Sequence, residues 1–146
     1  MNHIFWFLTW TLMIYFIHRI GHVIPIIRDI HGKHHRYISE HNITGWTWKN
    51  LFFYQDNLFS TLDVFITEVI PTIIFCYLTG EWWLFGFFYV WSATIQECIE
   101  HSPNFDMYPY LTSGKWHLRH HLKGKCNYGI FTPIWDILFG TNEALK

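Results

Sequence analysis

The sequence predicts an all-α, integral-membrane helical bundle, with about three membrane-embedded helices and cytosolic or interfacial helices that carry clustered histidines. Three observations lead there. The 146 residues are 51% hydrophobic and 21% aromatic but only 14% charged, where soluble domains carry about 25% charge. Three long apolar segments punctuate the chain. Eleven histidines recur at three- and four-residue intervals, the spacing that puts side chains on one helical face. The length is that of a single domain, residues 1–146.

The first apolar segment, Ile4 to Ile17, holds no charge; the second, Leu58 to Gly80, is interrupted by Asp63 and Glu68; the third, Trp82 to Ile99, carries Glu97 near its end. A helix crossing the hydrocarbon needs about 20 apolar residues. These spans are short or impure by that standard, and bilayer thinning or burial of one face against protein would accommodate them. Core helices of a soluble bundle are the rival reading, disfavoured because segments apolar on every side are unusual in so small a soluble domain. Trp6, Trp10, Trp82, Trp83 and Trp91 suit interfacial belts. Thr79-Gly80 should stop the second helix and open a hairpin to the third. Pro71 should kink the second helix, Pro103 should end the third, and Ser113 should cap a short helix closed by Gly124. The aromatic stretch 42–57 is expected to lie along the membrane surface. A cleavable signal peptide is not expected, because no basic residue precedes the first segment and His18-Arg19-Ile20-Gly21-His22 is no small-residue cleavage site.

Lys and Arg set the expected orientation. None precedes Arg19. Arg19, Arg28, Lys33, Arg36 and Lys49 lie between the first two segments, and Lys115, Arg119, Lys123 and Lys125 follow the third. Three crossings with the amino terminus outside put every basic cluster, and every histidine except His3, in the cytosol, as expected for a bacterial inner membrane or the endoplasmic reticulum.

Several function classes are excluded. A net charge of −1 gives no field for nucleic acid. Cys76, Cys98 and Cys126 are odd in number and widely spaced, which argues against a disulfide framework or a zinc ribbon. No dinucleotide fingerprint, haem-attachment motif or cluster-binding Cys set is present.

The histidines form three clusters: His18 and His22; His31, His34 and His35; His117, His120 and His121. Each set shares a helical face, so each helix offers two or three imidazoles to a common centre. Imidazole suits iron, zinc, copper and nickel, and eight clustered rings exceed the needs of one ion, which implies two. His101 stands alone at the end of the third segment. His3 and His41 read as filler. Glu97 and Glu100, near His101, read as groups that orient imidazoles through their far ring nitrogen, with solvated interfacial carboxylates as the alternative for Glu100. Glu68, inside an apolar segment, is expensive and reads as paired, neutral or lining a substrate path. Asp63 reads as ordinary, and Asp136 as an anchor for the closing loop.

The pattern His-x-x-x-His, His-x-x-His-His and a later His-x-x-His-His resembles the fatty acid hydroxylase and sterol desaturase superfamily. Glu-His-Ser-Pro-Asn-Phe-Asp at 100–106 is similar to its internal His segment. Asn127-Tyr128-Gly129 and Trp135-Asp136-Ile137-Leu138-Phe139-Gly140-Thr141 resemble its closing motif. The resemblance runs from about Tyr15 to Thr141. It implies nine metal ligands that are also the catalytic set: His18, His22, His31, His34, His35, His101, His117, His120 and His121. It implies two iron ions, with zinc as the substitute in recombinant material, and dioxygen as co-substrate. Glu97, Glu100, Asn127 and Asp136 are expected behind the ligands. Some members carry a second histidine four residues after the lone one; here that position is Phe105. The expected reaction is hydroxylation or desaturation at a C–H bond of a lipid (fatty acyl, sterol or carotenoid). Its electrons would come from an external ferredoxin or small cytochrome. A homodimer is a further expectation, since three crossings are few to enclose a pocket. Two rivals remain: a non-catalytic membrane metal-binding or metal-transport protein, and a membrane metallohydrolase, whose usual His-Glu-x-x-His is absent.

Overall fold

A computed structural model describes residues 2–41, 46–55, 57–96, 99–106 and 108–143, and among them the regular structure is helical. Helix α1 spans His3–Gly21 and α2 spans Pro25–His41. A short 3-10 helix, Trp48–Phe52, follows. Helix α3, Leu58–Thr79, is continuous but changes pitch along its length. Helix α4, Trp83–Val90, runs on as a π-helix over Trp91–Gln96. Helices α5, Lys115–Lys123, and α6, Ile134–Phe139, complete the described fold.

Two helices are long and apolar enough to cross a bilayer, α1 with 19 residues and α3 with 22. Their outward faces are apolar as well: Ile4, Phe5 and Ile20 on α1, and Ile70, Ile74, Tyr77 and Leu78 on α3 are all exposed, Leu78 by 75%. Water penalises so large an apolar surface, whereas lipid does not. The third segment is helical only as Trp83–Val90 and Trp91–Gln96 before residues 97 and 98, which lie outside the described set together with the expectation for Glu97.

Local chemistry explains the ends and the pitch changes. Asn2 caps α1, its side chain accepting from the Phe5 N–H at 3.2 Å. Gly80 ends α3 at φ 77°, donating to the Cys76 carbonyl at 2.8 Å. Pro71 has no N–H to offer the carbonyl four residues back, and the helix widens into π turns over Phe65–Val69 just before it. The cap of α5 is Gly114 rather than Ser113. At φ 79° a Cβ there would collide with the Phe105 carbonyl, which accepts from Lys115 N–H at 2.9 Å. Phe105 thus serves the helix start through its backbone, with its side chain half-buried.

Inside the membrane the hydrophobic effect cannot hold helices together, so packing and interhelical hydrogen bonds must. Trp10 is fully buried among Phe88, Phe131 and Leu84, with its ring 4.6 Å from that of Phe131. Its indole donates to Thr72 Oγ1 at 3.0 Å, tying α1 to α3. The aromatic stretch after α2 contributes the 3-10 helix with Trp48 and Phe52 exposed, and Trp46 donates to the Ala93 carbonyl at 2.7 Å.

Candidate metal centre

Helix α2 shows how the site is assembled. Its buried stripe is His31, His34, His35 and Ile38, the i, i+3, i+4, i+7 pattern of a core-facing helix, so three imidazoles stand where apolar side chains usually do. Helix α5 does the same with Trp116, His117, His120 and His121. His18 is buried in the last turn of α1, and His22, its C-cap, is half-buried. His101 is buried after the π stretch of α4.

All nine clustered histidines come together. His18, His22, His31, His35 and His120 form one group and His34, His101 and His121 a second, each with one ligating atom per residue within 4.8 Å of the others. His117, with Glu100 and His101, forms a third that overlaps the second. The groups abut: the His35 and His121 rings stack with centroids 4.2 Å apart. His3 and His41 are exposed and outside the cluster.

The ring nitrogens that meet cannot all be hydrogen-bonded to one another. His18 Nδ1 lies 2.8 Å from the Tyr128 carbonyl, and His120 Nδ1 lies 2.7 Å from the Cys126 carbonyl. A carbonyl only accepts, so both rings carry their proton on Nδ1 and leave an Nε2 lone pair. His31 Nδ1 donates likewise to Asp63 Oδ2 at 2.8 Å. Yet His18 Nε2 is 3.1 Å from His31 Nε2, which is 3.0 Å from His22 Nε2, itself 3.1 Å from His120 Nε2. Converging lone pairs repel unless a cation lies among them. On the other side of the cluster His121 Nε2 lies 2.9 Å from His117 Nε2 and 3.2 Å from His101 Nε2. This donor set fits soft-to-borderline transition metals.

Burial favours the neutral, ligating form of seven of the rings. Desolvation lowers His22 and His34 to about 4 and His101 to about 3, with neighbouring imidazoles adding to it. His35, His117, His120 and His121 are lowered for the same reason.

Two carbonyls orient His18 and His120, and one loop supplies both. Asn127 sits between them, fully buried at φ 57°. Its amide donates to the Trp116 carbonyl at 3.2 Å and to the Glu143 carbonyl at 3.1 Å, and its Oδ1 accepts from Glu143 N–H at 2.7 Å. Asp136 anchors the other side, accepting from the backbone N–H groups of Tyr128 and Gly129; burial pushes its carboxyl up. Neither residue touches an imidazole; each holds a backbone that does.

The carboxylates depart from the sequence reading. Asp63 is not ordinary but buried against His31. The signal was its charge inside an apolar segment, the same signal that Glu68 gives. Glu100 approaches His117 at Nε2, 3.5 Å away, the nitrogen that also meets His121, and not at the far ring nitrogen. It also accepts from Gln96 Nε2 at 2.8 Å. A cavity of about 30 Å³ beside the histidines is lined by Asp63, Thr67, Glu68, Ser92, Gln96 and Glu100 among others. Its volume suits one or two waters and not a lipid chain.

The family described as fatty acid hydroxylase matches residues 3–141. A Delta(7)-sterol 5(6)-desaturase of Aspergillus fumigatus is 29% identical over 90% of this chain and 36% of its own. A putative Delta(7)-sterol-C5(6)-desaturase 2 of Arabidopsis thaliana is 25% identical over 97% of this chain and 51% of its own. The Delta(7)-sterol 5(6)-desaturase of Candida glabrata is 30% identical over 88% and 32%. The chain thus spans between a third and a half of these relatives' length. No solved structure matches it.

Proposed function

The chain belongs to the fatty acid hydroxylase family, and from that premise we propose that it is a membrane di-iron oxidoreductase that uses dioxygen to hydroxylate or desaturate a lipid at a C–H bond. The observation that carries this reading is the convergence of Nε2 lone pairs from His18, His31 and His120, whose Nδ1 protons are committed elsewhere. Nine imidazoles would hold two ions, with Glu100 placed to add an oxygen donor.

Bound iron would supply the dioxygen chemistry that an unactivated C–H bond requires. The protein's part is orientation and exclusion of water. The Tyr128 and Cys126 carbonyls and the Asp63 carboxylate fix three rings in the ligating tautomer. Trp10, Phe88, Ile130 and Phe131 form a packed apolar layer that would screen the centre from the membrane side. Hydroxylation consumes two electrons and two protons for each dioxygen, forming one alcohol and one water. The electrons would come from a ferredoxin or small cytochrome, for which the exposed Arg28, Lys33 and Arg36 of α2 would offer a basic docking point. The lipid would enter laterally from the bilayer with the histidines at the cytosolic side. A sterol is the first substrate to test, because the relatives are named as sterol desaturases.

The experiment is lipid mass spectrometry of cells expressing the chain against a His120→Ala control, with bound iron measured in both. The reading requires an oxidised lipid that depends on His120, and lower iron in the variant. Full metal content with every lipid unchanged, reductant and dioxygen being supplied, would favour a metal-binding or transport protein instead.

A further inference from the structure

The two groups of imidazoles differ in how their rings are held from behind. In the five-histidine group, three rings have a fixed acceptor at Nδ1: the Tyr128 carbonyl for His18, the Cys126 carbonyl for His120 and the Asp63 carboxylate for His31. In the other group, the rear nitrogens of His117 and His121 are buried with no hydrogen-bond partner among the described residues. A ring locked by a partner loses little freedom on ligation and is a stronger donor, most of all when the partner is a carboxylate. Asp63 contributes that carboxylate from α3, and it is 4% exposed.

We propose that the centre is two unequal metal sites, in which the His18, His22, His31, His35 and His120 group takes the first ion and holds it more tightly. Asp63 is the positioning residue behind that difference. The inference rests on the di-iron reading above and adds to it an order of loading and a residue that sets it. It also assigns the second ion to the His34, His101, His117 and His121 side, where Glu100 stands beside the rings.

The test is titration of the metal-free full chain in detergent with cobalt(II), followed by its visible absorption and by equilibrium dialysis. The expected result is two resolved steps of one equivalent each. Asp63→Asn keeps an oxygen acceptor but removes the charge, and should weaken the first step by roughly 10–100-fold, change its absorption spectrum and leave the second step in place. A merely structural role for Asp63 would weaken both steps together. A single step of two equivalents in the unaltered protein overturns the proposal whether or not the variant folds. So does an Asp63→Asn titration that matches the unaltered one. Two equal ions would leave the di-iron reading standing, whereas failure to bind any metal would remove both.

Discussion

The carboxylate of Asp136 carries the backbone of Gly129, its Oδ2 accepting from the Gly129 N–H at 2.7 Å. Its other oxygen accepts from Tyr128 N–H at 2.8 Å and from the Thr141 hydroxyl at 2.7 Å. The Tyr128 carbonyl in turn accepts from His18 Nδ1. A side chain that never reaches the imidazoles therefore sets the tautomer of one of them. In Asp136→Asn the amide nitrogen must face one of the two backbone N–H groups, whichever way it turns. Hydrogen bonds to charged groups contribute about 1.5–3 kcal/mol each, so a loss of that order is expected, together with reduced metal retention. Thermal melts in detergent with and without iron(II) would measure both; an unchanged melting temperature would contradict the anchoring role.

Gly129 is constrained from two sides. A Cβ would collide with the Thr132 carbonyl and stand 2.8 Å from Asp136 Oδ2, and neither is the free end of a flexible side chain. Gly129→Ala should therefore move the loop and cost about 1–3 kcal/mol. The matched control is Gly32→Ala, on the open face of α2, where an added methyl meets nothing within 4 Å; it should be neutral or slightly stabilising because Ala favours helix. Equal effects in the two variants would refute the steric argument.

What the sequence disclosed follows from what is periodic. His31, His34 and His35 declare a shared face by spacing alone, and so do His117, His120 and His121; the apolar runs of α1 and α3 read directly from composition. Backbone groups have no such signature. Nothing in the letters Cys126 or Tyr128 says that their carbonyls will meet His120 and His18. Asp63 was visible as a costly charge, but its partner lies 32 positions away on another helix, and only tertiary packing pairs them. Ser113 lost the cap of α5 to Gly114 because the returning Phe105 carbonyl leaves room for no side chain, a contact between loops that propensity does not register.

Acid should unfold the metal-free protein earlier than its composition suggests. Burial lowers His22 and His34 from 6.5 to about 4, and His101 to about 3. Unfolded chains bind these protons near 6.5 and the folded chain does not. The unfolded state therefore holds more protons across the interval, and stability falls as pH falls. The stabilisation is complete above 6.5 and is lost progressively as pH drops towards 4 and 3. Helicity followed against pH should show this loss in the metal-free form, and bound metal should move it to lower pH by competing with the protons. A metal-free protein equally stable at pH 7 and pH 4.5 would contradict the neutral, buried assignment of these rings.

The contact between Trp10 and Thr72 tests how the membrane helices are joined. Both residues are completely buried, and the indole N–H donates to the hydroxyl across α1 and α3. In lipid, separating the helices does not expose apolar surface to water, so the hydrogen bond and the close packing of the indole carry the association. Trp10→Phe removes the donor and part of the ring; Thr72→Val removes the acceptor and keeps the shape. A double-mutant cycle isolates the bond from the lost volume, and interhelical bonds in membranes contribute about 0.6 kcal/mol on average and up to about 1.7. The expected coupling lies in that range. Coupling near zero would mean that packing alone ties α1 to α3, in which case Thr72→Val by itself should leave the melting temperature unchanged.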